Sequence, residues 1–92
     1  MSILHTLNKA ELLPLGRRAM QSGDSLVLIE NGVYLAVTSQ DPPWPEQVQV
    51  YALESDLSAR GLAGRIQPGI KVLSMSSLVS LCCNHDRVIN WF

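Results

Sequence analysis

Apolar runs separated by short polar or glycine-containing breaks recur along the whole chain, and their spacing predicts alternating strands and helices. Ser2 to Leu7 is a short apolar run that reads as a first strand. In KAELLPLGRRAMQSGD (9–24), Pro14 suits the first turn of a helix and Gly23 its end, with Leu15, Ala19 and Met20 facing inward. Gly16 weakens that helix. Asp24 or Ser25 opens the clearest strand, SLVLIE (25–30). Its Leu26 to Ile29 do not alternate with polar residues, as expected of a strand buried on both faces in a parallel sheet covered by helices. Asn31 and Gly32 break it. GVYLAV (32–37) stays open between a hairpin partner strand, which the Asn-Gly pair favours locally, and a short helix.

SQDPPWPEQ (39–47) is a loop, because its three prolines leave no donors for regular structure. QVQVYAL (47–53) reads as a strand, and Glu54, Ser55 and Asp56 offer acceptors to start the short helix DLSARGL (56–62). After the Pro68-Gly69 turn comes a strand at Ile70 to Leu73. Ser76 or Ser77 then caps a helix running to about Asn84, and VINWF (88–92) forms a last short strand. Strands alternating with helices predict a single domain over residues 1–92, a three-layer α/β/α fold with a mainly parallel sheet of four to five strands.

Composition sharpens this picture in one respect. Charged residues are 16% of the chain, against roughly 25% in an average soluble domain, while apolar residues reach 47%. So little charge on a small sphere predicts that another subunit covers part of the outside. The net charge is −1 and the cations are scattered, without the clustered cations and stacking aromatics that nucleic acids require. Direct RNA binding by this chain alone is therefore not expected. MSILHTLNKAELLPL lacks a basic region and a continuous apolar core, and no stretch approaches membrane-spanning length. Two cysteines without framework spacing argue against a disulfide scaffold, so a reducing cytoplasm is the expected compartment.

The candidate chemistry lies in SLCCNHD (80–86). On a helix, Leu78, Leu81 and Cys82 share one apolar stripe, flanked by Val79 and Cys83. Neighbouring Cα atoms lie about 3.8 Å apart, below the disulfide range that starts near 4.4 Å, so the pair does not bridge. A closed zinc site needs four ligands, and Cys82, Cys83, His85 and distant His5 would all have to converge. Core or interface packing is preferred, with no metal and no cofactor. A reactive thiol is the alternative, but Cys83 near a helix C-terminus meets the end of the dipole that raises a thiol pKa. His5 reads as a hydrogen-bonded strand residue near the sheet edge. Glu54 and Asp56 read as helix-start acceptors rather than an acid/base pair. Gly61 and Gly64 follow a helix and do not form a phosphate loop. Trp44 is either a lid on the core or an exposed anchor for a partner.

The order of ILHTLNK (3–9), GDSLVLIENGVYLAV (23–37), VYALESDLSARGL (50–62) and VINWF (88–92) resembles the TusB/DsrH family of small sulfur-relay subunits over nearly the whole chain. The resemblance implies an α/β/α domain with a parallel sheet and makes GVYLAV the start of a helix. It marks His5, Trp44, Glu54, Asp56, Arg60 and Trp91 as interface or family-motif residues. It also implies TusC- and TusD-like (or DsrF- and DsrE-like) partners in a dimer of heterotrimers. Through that complex, sulfur would pass from a TusA-like donor to a TusE-like acceptor for 2-thiolation of the tRNA wobble uridine. The first-helix cysteine of some DsrH-type relatives is missing here; the position lies around Met20, which favours the Tus branch. Three functions follow as expectations: a non-catalytic structural subunit, a direct persulfide carrier through Cys82 or Cys83, and a flavodoxin-like small-molecule binder. A DsrH-type role in dissimilatory sulfur oxidation is the pathway alternative.

Overall fold

The computed structural model describes residues 2–40 and 43–91. Asp41 and Pro42 of the proline-rich loop, and Phe92 at the end of the expected last strand, lie outside the described residues. Strands β1 (Ile3–Leu7), β2 (Ser25–Leu28), β3 (Gln49–Leu53), β4 (Ile70–Leu73) and β5 (Arg87–Trp91) form one sheet in the order β4-β3-β2-β1-β5. Every neighbouring pair is parallel. The connecting helices are α1 (Leu13–Ala19), α2 (Glu54–Ala59) and α3 (Met75–Cys83), with 3-10 segments at Ala10–Leu12 and Glu30–Ala36. GVYLAV is thus helical, and β2 has no hairpin partner. A parallel neighbour, β3, takes the place an antiparallel strand would have occupied.

Strand order and handedness together decide which face each helix covers. From β1 to β4 the chain steps in one direction across the sheet, so right-handed crossovers put α1, the 30–36 segment and α2 on one face. On that face Leu7, Leu26, Leu28, Val50 and Ala52 pack with Leu13, Val33, Leu57 and Leu62 in a single core cluster. Leu57 is 1% exposed, and burying such a side chain contributes about 1.5–3 kcal/mol. The last crossover runs back from β4 to β5 at the opposite edge, so the same handedness sends α3 to the other face. There Leu4 and Val27 are buried while no residue of α3 is.

Two local expectations are corrected. Leu15 does not face inward; it is 55% exposed, and Leu13 and Gly16 are buried instead. A Cβ on Gly16 would sit 3.7 Å from the Trp91 ring, so the indole occupies the space that a larger inward side chain would need. The cap of the last helix is Ser74, whose Oγ accepts from the Ser77 amide at 3.2 Å.

Close approach at the C-terminal ends of β1 and β2 depends on one glycine. The Leu7 carbonyl accepts from Ile29 N at 3.0 Å, and a Cβ on Gly32 would lie 2.2 Å from that same oxygen.

Candidate functional site

The residues singled out from the sequence fall into three places. At the first, His5 and Asp24 are both buried on strands or strand entries, 0% and 3% exposed. His5 Nε2 lies 3.0 Å from Asp24 Oδ2, and the Trp91 indole donates to His5 Nδ1 at 3.0 Å. The indole N–H is a donor only, so Nδ1 must accept, Nε2 carries the ring proton, and Nε2–H donates to the carboxylate. The His5 and Trp91 rings also stack, with centroids 6.2 Å apart and planes 16° from parallel. Register makes this possible: His5 pairs with Ile89 and Leu7 with Trp91, so all four side chains share a face.

Asp24 is the hub of this cluster. Besides His5 it accepts from Ile3 N and Gln21 N, each at 3.0 Å. Burial pushes its carboxyl upward, but the hydrogen bonds from His5 and the two backbone amides outweigh that and hold it below the ordinary carboxylate value. The group ties the start of β1, the end of the α1 loop and the start of β2 to one point. Sequence reasoning placed Asp24 only as a strand opener, since nothing local announces a carboxylate whose partners lie up to 21 residues away.

The second place is the C-terminal rim of β2 and β3. Glu54 and Asp56 occupy the first turn of α2, but neither caps it, because the cap residue is Leu53, which makes no side-chain bond. Asp56 instead accepts from the Glu30 amide at 2.8 Å. Glu30 is the only non-glycine residue with positive φ among those described, at 48°. Arg60 donates from Nε to Asn31 Oδ1 at 3.0 Å and approaches Asp56 Oδ1 at 3.6 Å. Together Asp56 and Arg60 fasten the turn that follows β2.

The third is α3, where the two cysteines separate. Cys82 is half-buried whereas Cys83 is exposed, so in the isolated chain only Cys82 has any of the burial that core packing requires. The cause is the turn of about 100° per residue between adjacent helical positions. His85 follows, donating from Nδ1 to Leu81 O at 2.7 Å and accepting at Nε2 from Ser25 Oγ at 3.0 Å. It pins the end of α3 to the start of β2. Among the described residues, no three His, Cys, Asp or Glu side chains are grouped to hold a metal.

Trp44 is half-buried against the core, with the Arg17 guanidinium 5.7 Å from its ring centroid. In the isolated chain it lies over the edge of the core as a lid. Beside it, Thr38, Gln40 and Gln67 line a depression of about 180 Å³, below the roughly 300 Å³ at which small-molecule sites begin.

The geometry defines a small all-parallel α/β protein whose buried polar groups are spent on joining strands and whose thiols stand apart from them. Its fold is that of the ychN protein from Escherichia coli, with a TM-score of 0.71 and 97% of each chain covered at 14% identity. The DsrH like protein family model matches residues 9–88. Protein TusB of Escherichia coli O1:K1 is 34% identical over 95 residues, covering 97% of this chain and all of the relative. Protein TusB of Cronobacter sakazakii is 34% identical over 82 residues, covering 80% of this chain and 81% of its own. The chain belongs to the TusB/DsrH family.

Proposed function

We propose that this chain is a non-catalytic structural subunit of a cytoplasmic complex that relays persulfide sulfur for 2-thiolation of the tRNA wobble uridine. The observation that carries the reading is the match to Protein TusB, which covers 97% of this chain and all of the relative. The site chemistry supports it. His5 and Asp24 are consumed by each other, by Trp91 and by backbone amides, and neither faces a thiol. In this reading the partners are TusC-like and TusD-like subunits in a dimer of heterotrimers, served by a TusA-like donor and a TusE-like acceptor. The test is the native mass of this chain co-expressed with those two subunits, by light scattering on a sizing column. A particle containing all three chains is expected. A chain that elutes alone, as monomer or homo-oligomer, overturns the reading.

The exposure of Cys83 supports a second reading, in which this chain itself carries sulfur. The Cys83 thiolate would attack the outer sulfur of a donor persulfide, forming a new persulfide on Cys83 and releasing the donor thiolate. Relay that is unchanged when Cys82 and Cys83 are both replaced by serine removes this reading. Loss of relay with assembly intact would favour it over the structural one.

A further inference from the structure

Asn31 is followed by Gly32, and in a flexible chain that pair is chemically labile. Glycine has no Cβ to hinder its own amide nitrogen, which can attack the side-chain carbonyl carbon of the preceding asparagine. A bond then forms between Gly32 N and Asn31 Cγ, the Cγ–Nδ2 bond breaks, and ammonia leaves with the proton given up by Gly32. Water opens the resulting cyclic imide at either carbonyl, which leaves aspartate or isoaspartate at position 31. A larger residue at 32 would slow the attack, but packing forbids one, because a Cβ there would overlap the Leu7 carbonyl. The labile pair is therefore built into the fold.

Folding blocks both participants in the attack. Gly32 is buried, and its N–H donates to Ile29 O at 2.8 Å. The nitrogen must lose that proton to become a nucleophile, and a buried, hydrogen-bonded N–H gives it up only when the bond opens. On the other side, the Asn31 carbonyl is fixed by the Arg60 Nε–H, which donates to Oδ1 at 3.0 Å. The backbone is held as well. Residues 30–36 form a 3-10 helix, the Glu30 amide is tied to Asp56 at 2.8 Å, and ring closure requires Asn31 to leave the helical range of ψ.

We infer that Asn31-Gly32 is a deamidation site that the native fold keeps closed, so that modification takes place in opened or unfolded chains and bars them from refolding. The two products act differently. Aspartate at 31 leaves the main chain unchanged, and its carboxylate can still accept from Arg60. Isoaspartate routes the main chain through the former side chain and adds a carbon between residues 31 and 32, where the backbone must pass against the Leu7 carbonyl. The same pair that carries hairpin chemistry in the sequence thus records the time the chain has spent unfolded.

The test ages the wild-type chain in mildly alkaline buffer, either folded or held unfolded in guanidinium chloride. Peptide mapping by mass spectrometry follows deamidation at position 31, and enzymatic methylation counts isoaspartate. Circular dichroism after dilution of the denaturant measures the fraction that refolds. The folded chain should deamidate at 31 on the order of a hundredfold more slowly than the unfolded one, the protection given by a site that is open about one part in a hundred of the time. The refolding fraction should fall in step with the rise of isoaspartate at 31, whereas the variant Asn31→Asp should fold. Equal rates in the folded and unfolded chain overturn the closed site. Chains carrying isoaspartate at 31 that regain the wild-type spectrum overturn the bar on refolding. Failure of Asn31→Asp to fold assigns the block to the new charge and overturns the account based on backbone length.

Discussion

Replacing Asp24 with asparagine tests the reasoning about the buried cluster most directly, because it keeps the shape and removes the charge. The carboxylate accepts three hydrogen bonds, from Ile3 N, Gln21 N and His5 Nε2. A carboxamide offers one oxygen. If that oxygen takes the place of Oδ2, it keeps Gln21 and His5, and the new NH2 group is set against the Ile3 N–H. His5 cannot adjust by switching tautomer, since Nδ1 must go on accepting from Trp91. One bond to a charged acceptor is lost, at about 1.5–3 kcal/mol. Two more become neutral and weaken by about 1 kcal/mol each. The opposing effect is relief of burying a charge, but the lowered pKa of Asp24 shows that the bonds outweigh burial. The expected loss is about 3–5 kcal/mol, a large part of the roughly 5–15 kcal/mol that holds a domain folded.

Urea unfolding followed by circular dichroism measures that loss, and its pH dependence gives a second check. A carboxyl whose folded pKa is depressed adds stability that is fully present above its unfolded value of 3.8. That stability fades as pH falls through the folded value. The gap between wild type and Asp24→Asn should therefore be constant near neutrality and narrow only below pH 3.8. A loss under about 1 kcal/mol, the size of a single ordinary hydrogen bond, or a gap that does not change in acid, would refute the account of Asp24 as the hub.

The other predictions concern neighbouring features. Trp91→Phe leaves the buried Nδ1 of His5 without a donor and should cost about 1–3 kcal/mol in the same assay; nitrogen NMR of the wild-type ring should find Nε2 protonated and Nδ1 bare. Gly32→Ala drives a methyl group into the Leu7 carbonyl, so it should cost more than about 3 kcal/mol or prevent folding; a soluble variant within 1 kcal/mol of wild type, on the order of a routine substitution, contradicts the packing described. Cys83→Ser sits on the exposed side of α3 and should change stability by less than about 0.5 kcal/mol, as thermal unfolding will show.

Much of the architecture is decided by local pattern. The unbroken Leu26 to Ile29 run can only be covered on both sides, and strands alternating with helices leave a parallel α/β sheet as the natural solution. The sequence by itself therefore determined the parallel α/β class and where strand segments fall along the chain, while their order across the sheet, β4-β3-β2-β1-β5, came from the tertiary structure. It also determined that adjacent Cys82 and Cys83 point apart, since that follows from helix geometry alone. Where neighbours in space are distant in sequence, local pattern is silent. The 32–37 segment has hairpin chemistry at Asn31-Gly32, yet tertiary packing against Leu7 and α2 makes it helical. Leu15 has the larger apolar side chain, but Gly16 is buried, because Trp91 arrives from the far end of the chain to fill that space. The His5–Asp24–Trp91 cluster joins residues 19 and 86 positions apart, and only the register of β1 against β5 brings them together. The bareness of α3 is likewise tertiary. It arises because one crossover must return against the direction of the other three, and a fixed handedness sends that crossover alone to the second face.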